Sequence, residues 1–277
     1  MLSLIATPIG NLRDLSDRAK ETLSTCDLLL CEDTRHSATL FQALGIPSPK
    51  KMSLHKFNEA SREEEILSLL KAGSHIALIS DAGTPGISDP GSALVARCHE
   101  ENIPVTIVPG PCAFASAYAL SGSTSERVQF VEFLPKKEKE RRSLLQELLC
   151  YEGATVAYES PKRLKETISY AADIAPSWKI TLVRELTKLH EEVLSMNAKA
   201  LYETLTSVRG TSVRGECTIV FHLYPHKTSL SEEELIGQVE NVRNSFSCPL
   251  KEAVEIVSHQ NKISQRTLYQ ACIQKKE

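Results

Sequence analysis

Short apolar runs alternate with helix-like segments from the first residue onward, and this alternation constrains the fold more than any other feature. Each run has the length of a buried strand, and the runs cover residues 2–6, 27–31, 75–79 and 105–108. Helices are predicted between them over 17–25, 37–44, 61–73 and 92–102. Ser16, and a capping box of Ser61 and Glu64, mark two of the helix starts, and Gly45 closes another helix. Continuous apolar strands separated by amphipathic helices predict a mostly parallel sheet covered on both faces, within an α/β domain of residues 1–124.

The rest of the chain divides into a second α/β domain and a helical segment. Strands are predicted over 128–133, 155–158, 180–183 and 218–223, in a domain spanning 125–225. Pro161 marks a helix start, because proline suits the first helical position. The polar segment 226–234 is predicted to be a linker or the entry to a helix. Residues 235–277 show only helical pattern, with helices over 250–259 and 265–274 and Ser264 as a cap. Two interpretations of this helix-turn-helix-like segment stay open: packing on protein, or contact with nucleic acid through Lys251, Lys262, Arg266, Lys275 and Lys276.

Composition excludes several classes of protein. The net charge is −3, so any contact with nucleic acid must use local basic patches. The 8 cysteines form no C-x-x-C pair, which favours reduced thiols over a disulfide framework or a zinc site. The histidines have no metal-binding spacing. No secretory signal is visible, and prolines break the longest uncharged stretch, 102–125. We therefore expect a soluble cytoplasmic protein with no membrane span and no metal.

The loop over 80–91 follows a predicted strand and precedes a predicted helix. In α/β proteins small molecules bind at such carboxyl ends of strands. The loop carries three glycines and two prolines, which allow close backbone approach and limit the entropy lost on binding. It also holds two carboxylates, Asp81 and Asp89, and no lysine or arginine. A phosphate site would show the opposite charge, so the loop is predicted to bind a ligand that is not an anion.

Polar clusters follow several other predicted strands, and together they favour a substrate cleft over isolated ion pairs. They lie at 32–35, 54–59, 158–163, 184–192 and 214–216. The basic run 135–142 is either a solvated helix face or a contact for a phosphate backbone. Cys112 has no histidine or asparagine in a recognisable relation to it and is interpreted as a small residue at a helix start. An ATPase or GTPase is disfavoured, because the sequence has no Walker A lysine to bind a nucleoside triphosphate and no G-x-G-x-x-G turn.

Seven motifs occur in order along nearly the whole chain, and together they are far more specific than any one of them. They are T-P-I-G-N-L at 7–12, E-D-T-R at 32–35, S-D-A-G-T-P with D-P-G at 80–91, P-G-P-C at 109–112, F-L-P at 133–135, Y-E-S-P-x-R at 158–163 and R-E-L-T-K at 184–188. This series resembles the bacterial small-subunit ribosomal RNA methyltransferases of the tetrapyrrole methylase superfamily. Small-molecule members of that superfamily begin with G-x-G-P-G, and the departure at Thr7–Gly10 argues against a porphyrin substrate.

The resemblance implies two α/β domains of the tetrapyrrole methylase type with a cofactor cleft between them, plus the C-terminal helical segment. It also implies S-adenosylmethionine as cofactor, the ribose 2′-hydroxyl of a cytidine in the decoding region of 16S rRNA as acceptor, and a homodimer. The cofactor pocket would then include Pro8, Asp81, Ala82, Gly83, Ser88, Pro109, Gly110 and Glu159. Two alternatives are a methylase of a tetrapyrrole or another small molecule, and a non-catalytic ribosome-binding protein on a methylase fold.

The chemistry of such a transfer suggests roles for further residues. A ribose hydroxyl is a weak nucleophile, so a base or hydrogen-bond acceptor should assist the in-line displacement. Our hypothesis assigns this role to Asp33, Glu59 or Glu185. Four cations at strand ends are assigned to substrate phosphates: Arg35, Lys162, Arg163 and Arg184.

Overall fold

The computed structural model describes residues 1–207, 213–224, 232–246, 248–261 and 264–274. These residues form two compact units, Met1–Tyr224 and Pro225–Glu277. The first unit contains two five-stranded sheets, and the second contains helices. The predicted α/β fold with C-terminal helices is thus confirmed. The boundary predicted near residue 124 stays a prediction, and the predicted domain end at Pro225 and residues 226–231 of the linker lie outside the described residues.

The first sheet is parallel throughout, with the strand order β3-β2-β4-β1-β5. Its strands are β1 (Leu2–Ile5), β2 (Leu28–Cys31), β3 (Lys50–Ser53), β4 (Ile76–Leu78) and β5 (Val105–Val108). The helices that follow these strands are α1 (Asp17–Thr25), α2 (Thr34–Leu44), α3 (Glu59–Lys71), α4 (Ser92–Glu100) and α5 (Ala113–Ser121). Alternate strand residues enter two separate cores, with Leu30 and Leu78 in one and Leu29 and Ala77 in the other. The sheet is therefore covered on both faces, as predicted.

The second sheet is mixed, with the order β6-β7-β10-β8-β9. Its strands are β6 (Val128–Phe133), β7 (Ala154–Glu159), β8 (Lys179–Arg184), β9 (Glu192–Asn197) and β10 (Cys217–Phe221). Only the β6–β7 pair is parallel, and each of the other pairs is antiparallel. Three helices belong to this part of the chain: α6 (Glu138–Cys150), α7 (Pro161–Ile174) and α8 (Ala198–Ser207). Ala117 of α5 is buried in one cluster with Val156 and Val220, so α5 packs on this second sheet.

The C-terminal unit holds three helices, α9 (Glu232–Phe246), α10 (Leu250–Asn261) and α11 (Gln265–Gln274). They share a small core that includes Val239, Val254, Val257 and Leu268. Ser264 caps α11 as predicted, because its hydroxyl accepts a hydrogen bond from the Thr267 amide at 3.3 Å. Lys251 and Arg266 lie on these helices, whereas Lys262, Lys275 and Lys276 lie outside the described residues.

Several predicted helix ends are confirmed, and two predicted helix starts are wrong. Ser16 accepts from the amide of Ala19, and Gly45 closes α2 in the left-handed conformation. The capping box of Ser61 and Glu64 is wrong, because α3 already begins at Glu59 and the Ser61 hydroxyl donates to the carbonyl of Asn58. Helix α2 also begins earlier than predicted, since Asp33 rather than a later residue supplies its cap. Strand β9 was not predicted, because it is a short edge strand whose residues are only exposed or half-buried. Helix α9 lies mostly in the region predicted to be helical, but it begins at Glu232, before the predicted start at residue 235.

Candidate active site

Three of the turns that carry motifs meet at the carboxyl ends of β1, β4 and β5. Thr7 and Gly83 exchange backbone hydrogen bonds of 2.8 and 3.1 Å, which ties the first turn to the loop 80–91. The Thr84 hydroxyl donates to the carbonyl of Pro111 at 3.0 Å, which ties the same loop to the third turn. Gly110 lies so close to β1 that an added Cβ would stand 3.1 Å from the Cβ of Ala6. The sequence motifs thus build one continuous wall.

The loop 80–91 depends on backbone conformations that favour glycine. Gly83, Gly86 and Gly91 have φ angles of 88°, 81° and 122°, and Ser88 is also left-handed at 67°. A Cβ at Gly91 would lie 2.5 Å from the Leu78 side chain, so the loop end is packed directly on β4. The strained Ser88 has a second unusual property: its hydroxyl oxygen is buried and finds no hydrogen-bond partner among the described residues. Such strain and such unpaired polar atoms occur at binding sites.

A cavity of about 840 Å³ lies between this wall and the second sheet. The first sheet contributes residues from the turns after β1, β2, β4 and β5, and the second contributes the ends of β6, β7, β8 and β10. Its lining includes Ile9, Glu32, Asp81, Ala82, Gly83, Ser88, Asp89, Cys112, Phe133, Tyr158, Glu159, Glu185, Lys188, Gly215 and Glu216. The volume is that of a pocket for a ligand of cofactor size.

The side of the cavity formed by the first sheet is acidic, and we call Glu32, Asp81 and Asp89 the acidic face. Burial, and then the charge of Glu32, raises the pKa of the Asp89 carboxyl to about 6. Burial and the charge of Asp81 likewise raise the pKa of Glu32. The charge of Lys56 partly offsets both shifts. Within the part of the chain that the structure describes, no lysine or arginine nitrogen lies within 4.0 Å of these three carboxylates.

The opposite side carries carboxylates that are paired, and we call Glu159, Glu185 and Glu216 the paired face. The Glu159 side chain is fully buried and accepts hydrogen bonds from the Ser160 amide, from Arg163 and from the Thr167 hydroxyl. Lys188 binds both Glu185 and Glu216, at 3.1 and 3.0 Å. Glu185 also accepts from the Glu216 amide at 2.8 Å, and this hydrogen bond, followed by Lys188, lowers the pKa of Glu185.

The aromatic part of the lining comes from β6 and β7. Phe133 and Tyr158 meet edge to face, with ring centroids 5.4 Å apart. A register shift in β6 between Phe130 and Phe133, with Glu132 at a φ of 55°, turns Phe133 toward the cavity. Burial raises the pKa of Tyr158 to about 12, so this phenol keeps its proton at neutral pH. Together the rings form a wall on which a planar group could stack.

The structure brings together about half of the residues predicted for the site. The cavity lining includes Asp81, Ala82, Gly83, Ser88, Glu159 and Glu185. Three predicted pocket residues, Pro8, Pro109 and Gly110, lie in the adjoining turns but do not line the cavity. Glu59 is not in the lining either, and its carboxylate accepts from the Gly91 amide at 3.0 Å and so fastens the end of the loop.

Two other predicted residues form a local pair outside the cavity. Asp33 caps α2 and binds Arg35 through two oxygens, and this arginine holds the pKa of Asp33 well below its usual range. The Arg35 side chain is 90 % exposed. A carboxylate with such a low pKa is a poor base, so the geometry disfavours Asp33 for proton transfer. The assignment of Arg35 to a substrate phosphate stays a prediction.

The remaining predicted phosphate-binding residues differ in how far they are already engaged. Arg163 binds Glu159 and the Leu134 carbonyl, and Arg184 binds Glu192 at 3.1 Å. Lys162 is exposed on the first turn of α7. In the basic run 135–142, Arg141 is buried and binds Glu166 at 2.7 Å. These contacts favour a structural role for the arginines and leave Lys162 available to a ligand.

Sequence reasoning missed several members of the cavity lining. Glu32 stands in a quoted motif but was not assigned a role in the site, and Asp89 was predicted only as one of two loop carboxylates, either of which could face the ligand. Tyr158, Lys188 and Phe133 were also unassigned, although each lies in a motif at a strand end. The motif positions were the available signal, whereas the register shift that exposes Phe133 left no trace in the sequence.

Comparison with known proteins identifies the fold and the family. Residues 1–202 match the family described as Tetrapyrrole (Corrin/Porphyrin) Methylases. The chain belongs to the tetrapyrrole methylase family. Membership of this family makes the protein a methyltransferase. The fold agrees: uroporphyrin-III-C-methyltransferase from Thermus thermophilus superposes with a TM-score of 0.53 at 15% identity, over 80% of this chain and 94% of that one.

Closer relatives share one name, "Ribosomal RNA small subunit methyltransferase I". The Synechocystis protein is 38% identical over 99% of this chain and 98% of its own length. The Escherichia coli O157:H7 protein is 35% identical over 99% of this chain and 94% of its own length. The Thermotoga maritima protein is 41% identical over 79% of this chain and 96% of its own length. The resemblance seen in the motifs is thus confirmed.

The described residues also bear on membranes and metals. No helix among them is long and apolar enough to cross a membrane. Within the same described ranges, there is no group of three or more histidine, cysteine, aspartate or glutamate residues that could hold a metal ion.

Proposed function

We propose that this protein transfers a methyl group from S-adenosylmethionine to the ribose 2′-hydroxyl of a cytidine in the decoding region of 16S rRNA. Near full-length similarity to proteins named ribosomal RNA small subunit methyltransferase I supports the RNA substrate. The observation that carries the assignment is the acidic face of the cavity, because its charge suits a cationic methyl donor.

The residues of the cavity fit S-adenosylmethionine. This cofactor has a sulfonium and an ammonium group but no phosphate, and Lys188 is the one cation among the lining residues that the structure describes. The negative charge of the acidic face would attract the two positive groups, with Asp81 as their partner. The buried Ser88 hydroxyl, unpaired among the described residues, would gain a partner from a bound ligand. Phe133 and Tyr158 offer a surface for a purine ring.

When bound, the cofactor supplies a methyl group activated by the positive sulfur. The protein's contribution is to hold donor and acceptor in line, and positioning of this kind accelerates a reaction strongly. The hydrogen bonds that join Thr7, Gly83 and Pro111 through the three turns make the pocket rigid before the ligand arrives. An acceptor for the hydroxyl proton is also needed, since a ribose hydroxyl is a weak nucleophile.

Exposed cations near the site would meet the RNA backbone. Arg35 and Lys162 are exposed at the starts of α2 and α7, directly after the strands β2 and β7 that deliver cavity residues. Contacts of this kind bind phosphates without reading sequence, and they weaken as salt rises.

We further propose that the enzyme acts as a homodimer. An enzyme that modifies ribosomal subunits would work in the cytoplasm.

The test uses small ribosomal subunits from cells that lack the gene. We expect these subunits to lack one 2′-O-methylated cytidine, and the purified protein with S-adenosylmethionine should restore it on intact subunits or on bare 16S rRNA. Methylation that persists without the gene, or that appears on a base, would contradict the proposal. A control reaction without cofactor measures background.

Two further measurements separate the alternatives. Calorimetric titration with S-adenosylmethionine should show binding at one site for each chain, and binding without any transfer would indicate a non-catalytic ribosome-binding protein. Transfer to a tetrapyrrole but not to RNA would instead indicate a small-molecule methylase. Light scattering after gel filtration tests the homodimer.

A further inference from the structure

We propose that the Asp89 carboxylate accepts the proton of the ribose 2′-hydroxyl during methyl transfer. This inference rests on the proposed function, and it assigns the acceptor that the chemistry requires. Asp89 lines the cavity, at the same wall as Ser88 and facing the sheet that carries Tyr158. We prefer Asp89 to Asp33, Glu59 and Glu185, the three residues suggested by the sequence, because each of these three carboxylates already accepts hydrogen bonds from other groups of the protein.

Contacts exclude the carboxylates of the paired face. Glu159 is enclosed by hydrogen-bond donors, and Glu185 and Glu216 both bind Lys188. A carboxylate whose oxygens already accept from a cation or from several donors has few lone pairs left to receive a proton from a substrate. Outside the cavity, Asp33 is held by Arg35, and Glu59 accepts from the Gly91 amide.

Among the three acids of the acidic face, Asp89 has the environment of a base. Asp81 is exposed and accepts from the Asp33 amide at 3.4 Å, and the backbone of Asp81 partly offsets the rise in the pKa of Glu32. Asp89 is half-buried, and no lysine or arginine nitrogen among the described residues lies within 4.0 Å of its carboxylate, although the nearby Ser80 hydroxyl lowers its pKa. Burial and the neighbouring charges of Glu32 and Asp81 raise its pKa to about 6, against the opposing charge of Lys56. Proton transfer is most efficient when the pKa of the base lies near the working pH.

The loop holds Asp89 in a fixed position. Ser88 before it is left-handed, and Pro90 after it is buried. One residue further, the Gly91 amide donates to Glu59 and the Gly91 backbone packs against Leu78. Both sides of Asp89 are therefore anchored, which suits a group that must meet a substrate atom in one geometry.

Methyl transfer exchanges one bond for another and moves one proton. The 2′-oxygen forms its bond to the methyl carbon while the bond from that carbon to sulfur breaks, and the sulfur keeps the electron pair as a neutral thioether. The hydroxyl proton passes to the Asp89 carboxylate, which becomes a neutral acid. Asp89 then releases the proton to water, since its ordinary charged form prevails above pH about 6.

The experiment compares Asp89→Asn with wild type and with a matched control, Asp17→Asn, whose carboxylate is fully exposed on α1. We expect Asp89→Asn to lower kcat by about 10²- to 10⁴-fold. Its Kd for S-adenosylmethionine should stay within about threefold of the wild-type Kd. Asp89→Glu should recover part of the rate, and Asp17→Asn should match wild type.

The pH profile gives a second measurement that a merely structural role would not move. For wild type, kcat/KM, which reports the free enzyme, should fall below pH about 6, because protonated Asp89 cannot accept a proton. In Glu32→Gln this acid limb should shift to lower pH, since the repulsion that raises the pKa is removed. An acid limb that stays in place in both Glu32→Gln and Asp89→Glu would contradict the proposal.

The outcomes distinguish this inference from the proposed function. Wild-type activity on ribosomal subunits together with unchanged kcat in Asp89→Asn overturns the role of Asp89 alone. A rise of tenfold or more in the cofactor Kd of Asp89→Asn also overturns it, and makes Asp89 a cofactor ligand. Wild-type protein that binds cofactor but methylates no subunit overturns the proposed function, and this inference with it. Circular dichroism of each variant confirms that the comparison is between folded proteins.

Discussion

The two sides of the cavity use the same residue types in opposite ways. On the acidic face, Glu32, Asp81 and Asp89 crowd together, and burial, followed by mutual repulsion, raises the pKa of Glu32 and Asp89. On the paired face, Glu159 and Glu185 are matched to Arg163 and Lys188. An arrangement of unpaired like charges costs folding free energy, whereas a matched pair holds structure in place. The difference indicates that the acidic face serves a ligand and the paired face serves the fold.

Removing Glu159 tests whether the paired face stabilises the fold. Glu159→Ala leaves Arg163 and Thr167 without a buried partner, and we expect the free energy of unfolding to fall by about 3–5 kcal/mol. Chemical denaturation monitored by circular dichroism measures this loss. Glu138→Ala provides a matched control, because Glu138 and Arg142 form an i,i+4 pair with both side chains about half exposed. That change should cost about 0.5 kcal/mol or less, and equal losses in the two variants would show that burial of Glu159 adds nothing.

The second prediction concerns Gly215, which lies against Glu185. An added Cβ would stand 2.4 Å from Glu185 side-chain atoms, and Gly215 has a φ of 89°. Gly215→Ala should therefore displace Glu185 from the Glu216 amide and lower the free energy of unfolding by about 2 kcal/mol. Gly45→Ala is the control, since Gly45 is also left-handed but an added Cβ meets nothing within 4 Å. That control should lose about 1 kcal/mol from backbone strain alone, so a loss at Gly215 no larger than this would contradict the packing argument.

The fold was largely predictable, because the first half of the chain repeats one local pattern. Apolar runs such as Leu28–Cys31 are buried on both faces, and a run of this kind permits few structures other than an internal parallel strand. Where the pattern weakens, prediction was less complete. Strand β9, which alternates exposed and half-buried residues at the sheet edge, was missed, and α9, which opens with three glutamates, begins before the predicted helical region. The failed capping box at Ser61 has a similar cause, since the local motif competed with Asn58 and Glu59 just before it.

The site was predictable in place but only partly in role. Motifs at strand ends located the cavity, because parallel strands bring their carboxyl ends to one edge. They could not reveal which carboxylates are neutralised, since Glu159 meets Thr167 only when α7 folds back on β7, and Glu185 meets Glu216 only across 31 residues of chain. Asp33 and Asp89 are indistinguishable as letters, yet one is held by Arg35 and the other is half-buried among acids.

The smallest expected effect is a gain in stability on the acidic face. A carboxyl whose pKa is raised in the folded state binds a proton more tightly there than in the unfolded chain. Folding therefore loses stability as pH rises from the ordinary value of 3.8 to about 6, and above that the loss is constant. Asp89→Asn removes the charge, so at pH 7.5 it should raise the free energy of unfolding by about 1 kcal/mol, with an allowance for water in the open cavity. The gain should shrink toward zero near pH 4, where wild-type Asp89 is protonated in the folded state. Denaturation at several pH values, with Asp17→Asn as the exposed control, measures the difference, and a variant less stable than wild type at pH 7.5 would mean that the acidic face holds the fold together after all.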